Sequence, residues 1–348
     1  MKNDKICLLY VTTNDGSDMR INKEVKTLSK KFSVIFVGVG DYSKCYIEDY
    51  CSKTILIDGK RNSVKVLLRQ VIVILKALSK VKRIHIINEQ FLFLLYPILF
   101  FKYTVIDLFD SIFLKKNYSG NKLKFIKYML FMPVNRIIVT DENRYELMPN
   151  ILQHKCIILP NYPEKIDFCK NKEESDSLRI LYNGWMGKNR GTEIIEGLLQ
   201  LNLPIHIYML GWFSDDYTKQ MVRRYSEQIT YMGTIPQKDA LLFTNQYADY
   251  ILCTYAPINE NNINASPNKV YDAILTNTPL IINSEIKISE WVRVKDLGCI
   301  IPKYNVVDFS HLYKELCDKK KHFLFDKIIK SQYTWNSVES ELLKAHNI

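Results

Sequence analysis

The eight cysteines include no Cys-x-x-Cys pair and have no histidine partners at metal-ligand spacing. A zinc site or dithiol redox pair is therefore not expected, and the thiols read as reduced packing residues. The longest apolar run, Phe91 to Phe101, has 11 residues, well short of the ~20 that a membrane-spanning helix needs. Met1-Lys2-Asn3-Asp4-Lys5 leads straight into Ile6-Cys7-Leu8-Leu9-Tyr10-Val11, so no signal peptide is expected and a cytoplasmic location follows. There is no short-period repeat and no low-complexity segment. Neither a G-x-G-x-x-G nor a G-x-x-x-x-G-K-[ST] loop occurs, which removes the dinucleotide and P-loop fingerprints.

What is present is a chain of 348 residues, 47% apolar and 24% charged, long enough for two domains of ordinary size. Its net charge of +11 is unevenly spread: the first 160 residues hold 26 Lys+Arg against 14 Asp+Glu, and the remainder nearly balances. Such asymmetry predicts a polyanionic partner for the first half, or else a solvated basic surface.

Strand-like and helix-like segments alternate from end to end. Strands are expected at Lys5–Val11, Ser33–Gly38, Arg83–Ile87, Tyr103–Leu108, Arg136–Thr140 and Cys156–Leu159, with helices at Ser17–Lys31, Ser63–Lys82, Lys122–Met132 and Asp141–Asn150. A second series has strands at Leu178–Tyr182, Pro204–Leu210, Thr230–Tyr231, Tyr250–Cys253, Pro279–Ile282 and Cys299–Ile301. Helices at about 191–201, 214–228, 237–246, 266–276 and 288–296 intervene. This alternation predicts an α/β protein of two doubly wound parallel-sheet domains. The expected boundary lies at Pro160-Asn161-Tyr162-Pro163, giving domains 1–160 and 161–332.

Two segments carry chemistry. Ser266-Pro267-Asn268-Lys269-Val270-Tyr271-Asp272 opens a helix with a cation and a carboxylate three residues apart, hence on one face. A helix N-terminus stabilises phosphate oxygens, and a carboxylate can accept two hydrogen bonds from a sugar diol. The pairing suits a nucleoside diphosphate. The loop Tyr182-Asn183-Gly184-Trp185-Met186-Gly187-Lys188-Asn189-Arg190-Gly191 has three glycines that permit close backbone approach and two cations. Alone, such a loop is as often purely structural.

Taken in order, Gly184…Arg190-Gly191, Leu210-Gly211, Gly233-Thr234-Ile235-Pro236, Ala248-Asp249, Ser266-Pro267-Asn268-Lys269-x-x-Asp272 and Pro279 resemble the nucleotide-binding domain of the family 4 retaining glycosyltransferases. Asp18–Glu24, Asp107-Leu108-Phe109-Asp110 and Pro160-Asn161 resemble first-domain segments of that family more loosely. The end, from Tyr333-Thr334-Trp335-Asn336 to Ile348, looks like its C-terminal helix, which crosses back onto the first domain. The resemblance implies the GT-B fold, two Rossmann-like domains facing across a cleft.

It also implies roles. Arg190 and Lys269 would hold the donor diphosphate, Gly184, Gly191 and Gly211 would shape its loops, and Ser266, Pro267 and Asn268 would open the phosphate-facing helix. Asp272 stands where the family has a ribose-binding Glu, the backbone around Ile235 would read the base, and Gly16 would let the first domain's backbone approach the phosphates. The family's other acid, eight positions earlier, is here Asn264, with Glu260 the nearest carboxylate upstream. Glu89 and Asp110, at strand ends of the first domain, are the remaining catalytic candidates; either can equally cap a following helix.

The expected activity is transfer of a sugar with retention from a UDP- or GDP-linked donor. No Asp-x-Asp occurs, so no metal or other cofactor is expected, and cations with helix N-termini would neutralise the leaving group. Lys65, Arg69, Lys76, Lys80 and Arg83 share one helical face, and Lys122, Lys124 and Lys127 lie beside Phe125, Tyr128 and Phe131. These basic-apolar segments suit an anionic membrane surface and a polyprenyl-diphosphate-linked saccharide acceptor, as in bacterial surface-polysaccharide assembly; nucleic acid is not expected. The alternatives are a UDP-sugar 2-epimerase-like isomerase of the same fold and a catalytically silent nucleotide-sugar-binding subunit.

Overall fold

The computed structural model describes residues 5–61, 63–115, 121–168, 172–320, 323, 325 and 328–348. The chain divides into two compact units, residues 1–161 with 335–348, and residues 162–334.

The first unit runs β1 (Cys7–Val11), α1 (Met19–Ser29), β2 (Ser33–Val39), β3 (Lys53–Ile57), α2 (Val64–Leu78), β4 (Arg83–Ile87), α3 (Gln90–Leu99), β5 (Tyr103–Asp107), α4 (Ile112–Lys115), α5 (Asn121–Phe131), β6 (Arg136–Val139), α6 (Glu142–Glu146), α7 (Asn150–Gln153) and β7 (Cys156–Ile158). Its seven strands pair in parallel in the order β3-β2-β1-β4-β5-β6-β7. Both faces are covered: one by a cluster that includes Val66, Ile74, Phe91, Leu95 and Phe131, the other by one that includes Ile21, Val25, Leu28 and Trp335. That is why the strands read as continuous apolar runs.

The second unit runs β8 (Leu178–Met186), α8 (Thr192–Leu199), β9 (Ile205–Phe213), α9 (Asp216–Arg224), β10 (Ile229–Gly233), α10 (Gln237–Tyr247), β11 (Tyr250–Leu252), α11 (Glu260–Ile263), α12 (Asn268–Thr276), β12 (Leu280–Asn283), α13 (Ile288–Val294), β13 (Gly298–Ile301) and α14 (Phe309–Lys319). Its order is β10-β9-β8-β11-β12-β13. In both sheets the order reverses beside the first strand, between β1 and β4 and between β8 and β11, where open α/β sheets bind ligands at the carboxyl ends of their strands.

The last helix, α15 (Trp335–Ala345), belongs to the first unit. The Trp335 indole donates to Thr27 Oγ1 at 2.9 Å, and Glu339 pairs with Lys30 at 2.7 Å. Beneath it lies a buried polar chain. Arg20 bonds both Asp107 (2.7 Å) and Glu24 (3.0 Å), Tyr10 donates to Glu24 (2.7 Å), and His85 meets Glu24 (3.2 Å) and His346 (3.0 Å). Burial pushes the His85 imidazole down to about 4 and lowers that of His346 as well, so both rings are neutral at physiological pH. Glu24, His85 and Asp107 have potential ligand atoms within 4.8 Å of one another. The Arg20 guanidinium already supplies the positive charge there.

Several elements differ from the sequence reading. β3 and α3 are unannounced by it, as are the short α11 and the long α14. The expected helix Asp141–Asn150 is two, α6 and α7, because Pro149 takes extended backbone between them. On α2 only Val66, Gln70, Ile74 and Leu78 are buried. Val64, Leu68, Ile72 and Leu75 stand exposed among Lys65, Arg69 and Lys76. On α5 the grouping of lysines with aromatics is corrected. Lys127 and Phe131 point inward and are buried, whereas Lys124, Phe125, Ile126 and Met129 are exposed. The Lys122 side chain lies outside the described residues.

Candidate functional site

β8 ends in the loop that carries Arg190. Two tyrosines hold it. The Tyr182 hydroxyl accepts from Gly187 N at 2.8 Å, and the Tyr304 hydroxyl accepts from Gly191 N at 2.9 Å while donating to Lys188 O at 2.7 Å. Gly191 sits at φ +108°, and a Cβ there would come within 2.3 Å of Thr254 Oγ1 and 2.7 Å of Leu252 Cδ2. Only glycine fits such a place. The Arg190 guanidinium lies between two rings, 4.3 Å from the centre of Tyr255 and 5.1 Å from that of Trp185. Lys188 is turned to solvent and pairs with Glu193 at 3.6 Å. Gly184 and Gly211 face each other in the β8–β9 ladder, and a Cβ on Gly211 would meet Gly184 O at 2.1 Å.

α12 begins at Asn268, because Pro267 holds extended backbone at its N-cap. Lys269, in the first turn of α12, is half-buried. Its ammonium donates to Leu252 O at 2.9 Å and rides 5.5 Å over the Tyr182 ring. Burial, helped by the neighbouring Arg190, brings it down to about 8, while Cys253 and Asp272 oppose the fall. The two cations therefore converge beside the β8–β11 switch point. Asp272 is buried in the first turns of α12. Ser266 precedes the helix; its Oγ, Thr254 Oγ1, Asn183 Oδ1 and Asn261 Oδ1 are buried without hydrogen-bond partners among the described residues. Asn264 is buried and donates to Glu260 O (2.8 Å) and Glu260 Oε2 (2.9 Å), so the amide and the nearest upstream carboxylate form one unit. Ile235 leaves β10 and packs on the same face of the sheet as Val270 and Ala273 of α12.

In the first unit, Gly16 has φ +91°, with Ile47 Cγ1 2.7 Å from where a Cβ would be. Packing within that domain is sufficient reason for the glycine. Glu89 is fully buried: it accepts from Ser111 Oγ at 2.5 Å and from Ile112 N at 3.1 Å, at the start of α4. Beside it is a cavity of about 20 Å³ lined in part by Ser111, Lys127 and Arg144, room for a water molecule and no more. Burial raises the Glu89 carboxyl, and the hydrogen bonds from Ser111 and Ile112, with a smaller help from Lys127, counter it. Glu89 thus holds the start of α4, the capping role that the sequence also allows it. Asp110 remains accessible and pairs with Lys115. The preceding Asn88 takes a left-handed φ of 58° and accepts from Asp110 N at 3.0 Å, a conformation asparagine tolerates.

Sequence reasoning missed Tyr182, Tyr304 and Tyr255, which hold the Arg190 loop. Tyr255, in the segment leaving β11, carries no local signal of that contact.

No protein-family model matches the chain, and no curated protein matches by sequence. Solved structures do. Sucrose-phosphate synthase from Thermosynechococcus elongatus superposes with a TM-score of 0.76 at 12% identity, over 99% of this chain and 98% of that one. HepE of Anabaena, solved with UDP-glucose, gives 0.73 at 12% identity over 98% and 99%. The lipopolysaccharide outer core galactosyltransferase WaaB gives 0.66 at 13% over 99% of each chain. The fold is GT-B. At these identities the likeness concerns the fold alone, and the GT-B framework places the Arg190 loop and the start of α12 at the carboxyl ends of the second domain's strands.

Proposed function

We infer that this GT-B protein is a glycosyltransferase that moves a sugar, with retention and without a metal, from a nucleoside diphosphate to a lipid-linked saccharide in bacterial surface-polysaccharide assembly. The observation that carries the reading is the convergence of Arg190 and Lys269 at the β8–β11 switch point, with Asp272 one turn further along α12. Two cations gathered at one strand end, one of them half-buried, disfavour each other and are well matched to a diphosphate. Unpartnered hydroxyls of Thr254 and Ser266 beside them support a ligand rich in oxygen. HepE is solved with UDP-glucose and with UDP, and MnaA of S. aureus with UDP, which supports a nucleotide-sugar donor.

In the reaction the bond from the sugar's C1 to the diphosphate oxygen breaks, and an acceptor oxygen bonds to C1. The acceptor proton ends on the departing phosphate. Arg190, Lys269 and the N-terminal amides of α12 stabilise the charge that develops on that phosphate. Asp272 accepts from the ribose hydroxyls, and the turn at Ile235 reads the base. Asn264, supported by Glu260, offers an amide to a donor-sugar hydroxyl, and Asp110 is the accessible carboxylate of the first domain. Exposed Leu68, Ile72 and Leu75 among Lys65, Arg69 and Lys76 on α2, with Lys124 and Phe125 on α5, suit an anionic bilayer that presents the acceptor.

The test is release of UDP or GDP from a panel of nucleotide sugars, with and without a polyprenyl-linked acceptor and with a chelator in parallel. Release that needs Arg190 and survives chelation, with an α-configured product from an α-configured donor, supports the reading. An isomerised free sugar nucleotide, or no turnover of any donor, refutes it.

A further inference from the structure

Two tryptophans stand on the ends of neighbouring strands of the second domain and are left largely in water. Trp185 is the last residue but one of β8 and Trp212 the last but one of β9; they are register partners, and 53% and 56% of their surface is exposed. Register partners in a parallel pair project to the same face. Further back on that face, Leu181 of β8 and Leu210 of β9 belong to the cluster formed with Ile235, Tyr255, Val270 and Ala273. The indoles therefore extend the same face that carries α12 and the turn after β10.

Their surroundings differ. Trp185 already has the Arg190 guanidinium over its ring. Tyr231, on β10, is engaged: its ring packs on Phe213 with centroids 4.4 Å apart, and its hydroxyl donates to Gly211 O at 2.9 Å. Phe213 follows Trp212 and projects to the opposite face. Among the described residues no ring and no cation lies over Trp212. A large, rigid, two-faced aromatic left open in this way is a surface for a flat or apolar ligand.

The order of the sheet says which ligand. Across β11-β8-β9-β10 the strand ends carry, in turn, the Leu252 carbonyl held by Lys269, the Arg190 loop, Trp212 and the Ile235 turn. Phosphates held by Arg190 and Lys269 and a base held at Ile235 lie about two strand spacings apart, roughly 10 Å. The nucleoside between them has to cross the end of β9. We propose that Trp212 is the stacking surface for the nucleobase, and that Trp185 acts one step earlier, positioning Arg190 against the diphosphate. This rests on the nucleotide site of the proposed function and adds a residue that discriminates a nucleoside diphosphate from bare pyrophosphate.

The experiment is calorimetric titration of wild type, Trp212→Leu, Trp212→Phe and Arg190→Ala with pyrophosphate, with UDP, GDP, CDP and dTDP, and with UDP-glucose. Melting temperatures check that each variant folds. Trp212→Leu should weaken the preferred nucleoside diphosphate by roughly 10- to 100-fold, the worth of one aromatic–base stack. Pyrophosphate should be unaffected, and Trp212→Phe should recover most of the loss. Quenching of tryptophan fluorescence on binding should shrink in both variants. Unchanged nucleoside diphosphate affinity in Trp212→Leu overturns the inference. So does a loss confined to UDP-glucose, which would give the ring to the sugar. If Trp212→Leu behaves as expected but Arg190→Ala binds pyrophosphate like wild type, the phosphate assignment falls and the stacking surface stands. A wild type that binds none of these probes overturns both.

Discussion

Replacing Lys269 by methionine separates what this residue does for binding from what it does for folding. An ordinary lysine ammonium titrates at 10.5, and burial brings Lys269 to about 8. At ~1.4 kcal/mol per pH unit, holding the proton costs the folded state roughly 3 kcal/mol at neutral pH. Below pH 8 folded and unfolded chains both hold it, so the cost is complete. Between pH 8 and 10.5 the unfolded chain still binds the proton and the folded one does not, so stability climbs with pH, and above 10.5 the cost has gone. Methionine keeps most of the stem and removes the charge. It also leaves Leu252 O without this donor, at a cost of about 1 kcal/mol. The net gain at pH 7 is about 2 kcal/mol, a rise of roughly 4–8 °C in melting temperature for a domain of this size. Affinity for UDP or GDP should fall by roughly 10- to 150-fold, as for loss of a charge-assisted contact. Wild-type affinity should also decline above pH 8, and the variant's should not. Thermal scans from pH 6 to 10 and calorimetry on the same samples read both effects. A variant that melts below wild type at pH 7, or binds the diphosphate as well as wild type does, refutes the reasoning.

Asp272→Asn should narrow the preference for ribonucleoside over 2′-deoxyribonucleoside diphosphates, and equal discrimination by both proteins would remove Asp272 from the ribose. Gly191→Ala should lower the melting temperature and nucleotide affinity together, by roughly 1–3 kcal/mol in stability from strain at a positive φ alone; an unchanged melting temperature would contradict the close approach to Thr254. Acid should loosen the α15 anchor. His85 titrates at about 4 when folded and near 6.5 when unfolded, so stability is lost as pH falls from 6.5 towards 4. His85→Phe should flatten that slope in denaturant titrations, and an identical slope would argue against it. The protein should sediment with anionic vesicles and be released by salt, since exposed charges are screened beyond ~8 Å at physiological ionic strength. A Lys65/Arg69/Lys76→Glu variant that still sediments would show that the α2 face is not the contact.

What was legible in the sequence follows from what is local. The strand–helix alternation is carried by short apolar runs, and the Arg190-Gly191 and Ser266–Asp272 segments each sit within one loop and the start of one helix. The missed α3 is Gln90–Leu99, nearly all apolar, so no polar face marks a helical period. β3, Lys53–Ile57, lies at the sheet's edge and is partly exposed, which weakens the pattern a buried strand shows. The partial burial of Lys269 has no local signal, because it depends on a carbonyl 17 residues away on β11. The hold of Glu89 on the start of α4 leaves no local trace either, because its partners, Ser111 and Ile112, lie beyond the next strand. The tether of Gly191 to Tyr304 spans 113 residues and leaves no local trace at all.

Those same non-local features are where the second domain departs from well-satisfied packing. Its left-handed glycines at 184, 191, 211 and 233 all lie at or near the carboxyl ends of β8, β9 and β10. The unpartnered oxygens Asn183 Oδ1, Thr254 Oγ1, Asn261 Oδ1 and Ser266 Oγ come from β8's end and from the segment that leaves β11, near the half-buried Lys269 at the start of α12, and the open ring of Trp212 comes from the end of β9. At the opposite rim Arg179 bonds Asp249 at 3.2 Å and Lys320 joins the same carboxylate at 3.1 Å, while burial brings Lys172 beside them to about 8, as it does Lys269. Hydroxyls and an indole left without protein partners along one rim of a domain of marginal stability are groups that the proposed nucleotide would satisfy. Saturating nucleoside diphosphate should accordingly raise the melting temperature of wild type more than that of Lys269→Met, because binding stabilises in proportion to the logarithm of ligand over its dissociation constant. Equal shifts would mean that the ligand does not draw on this charge.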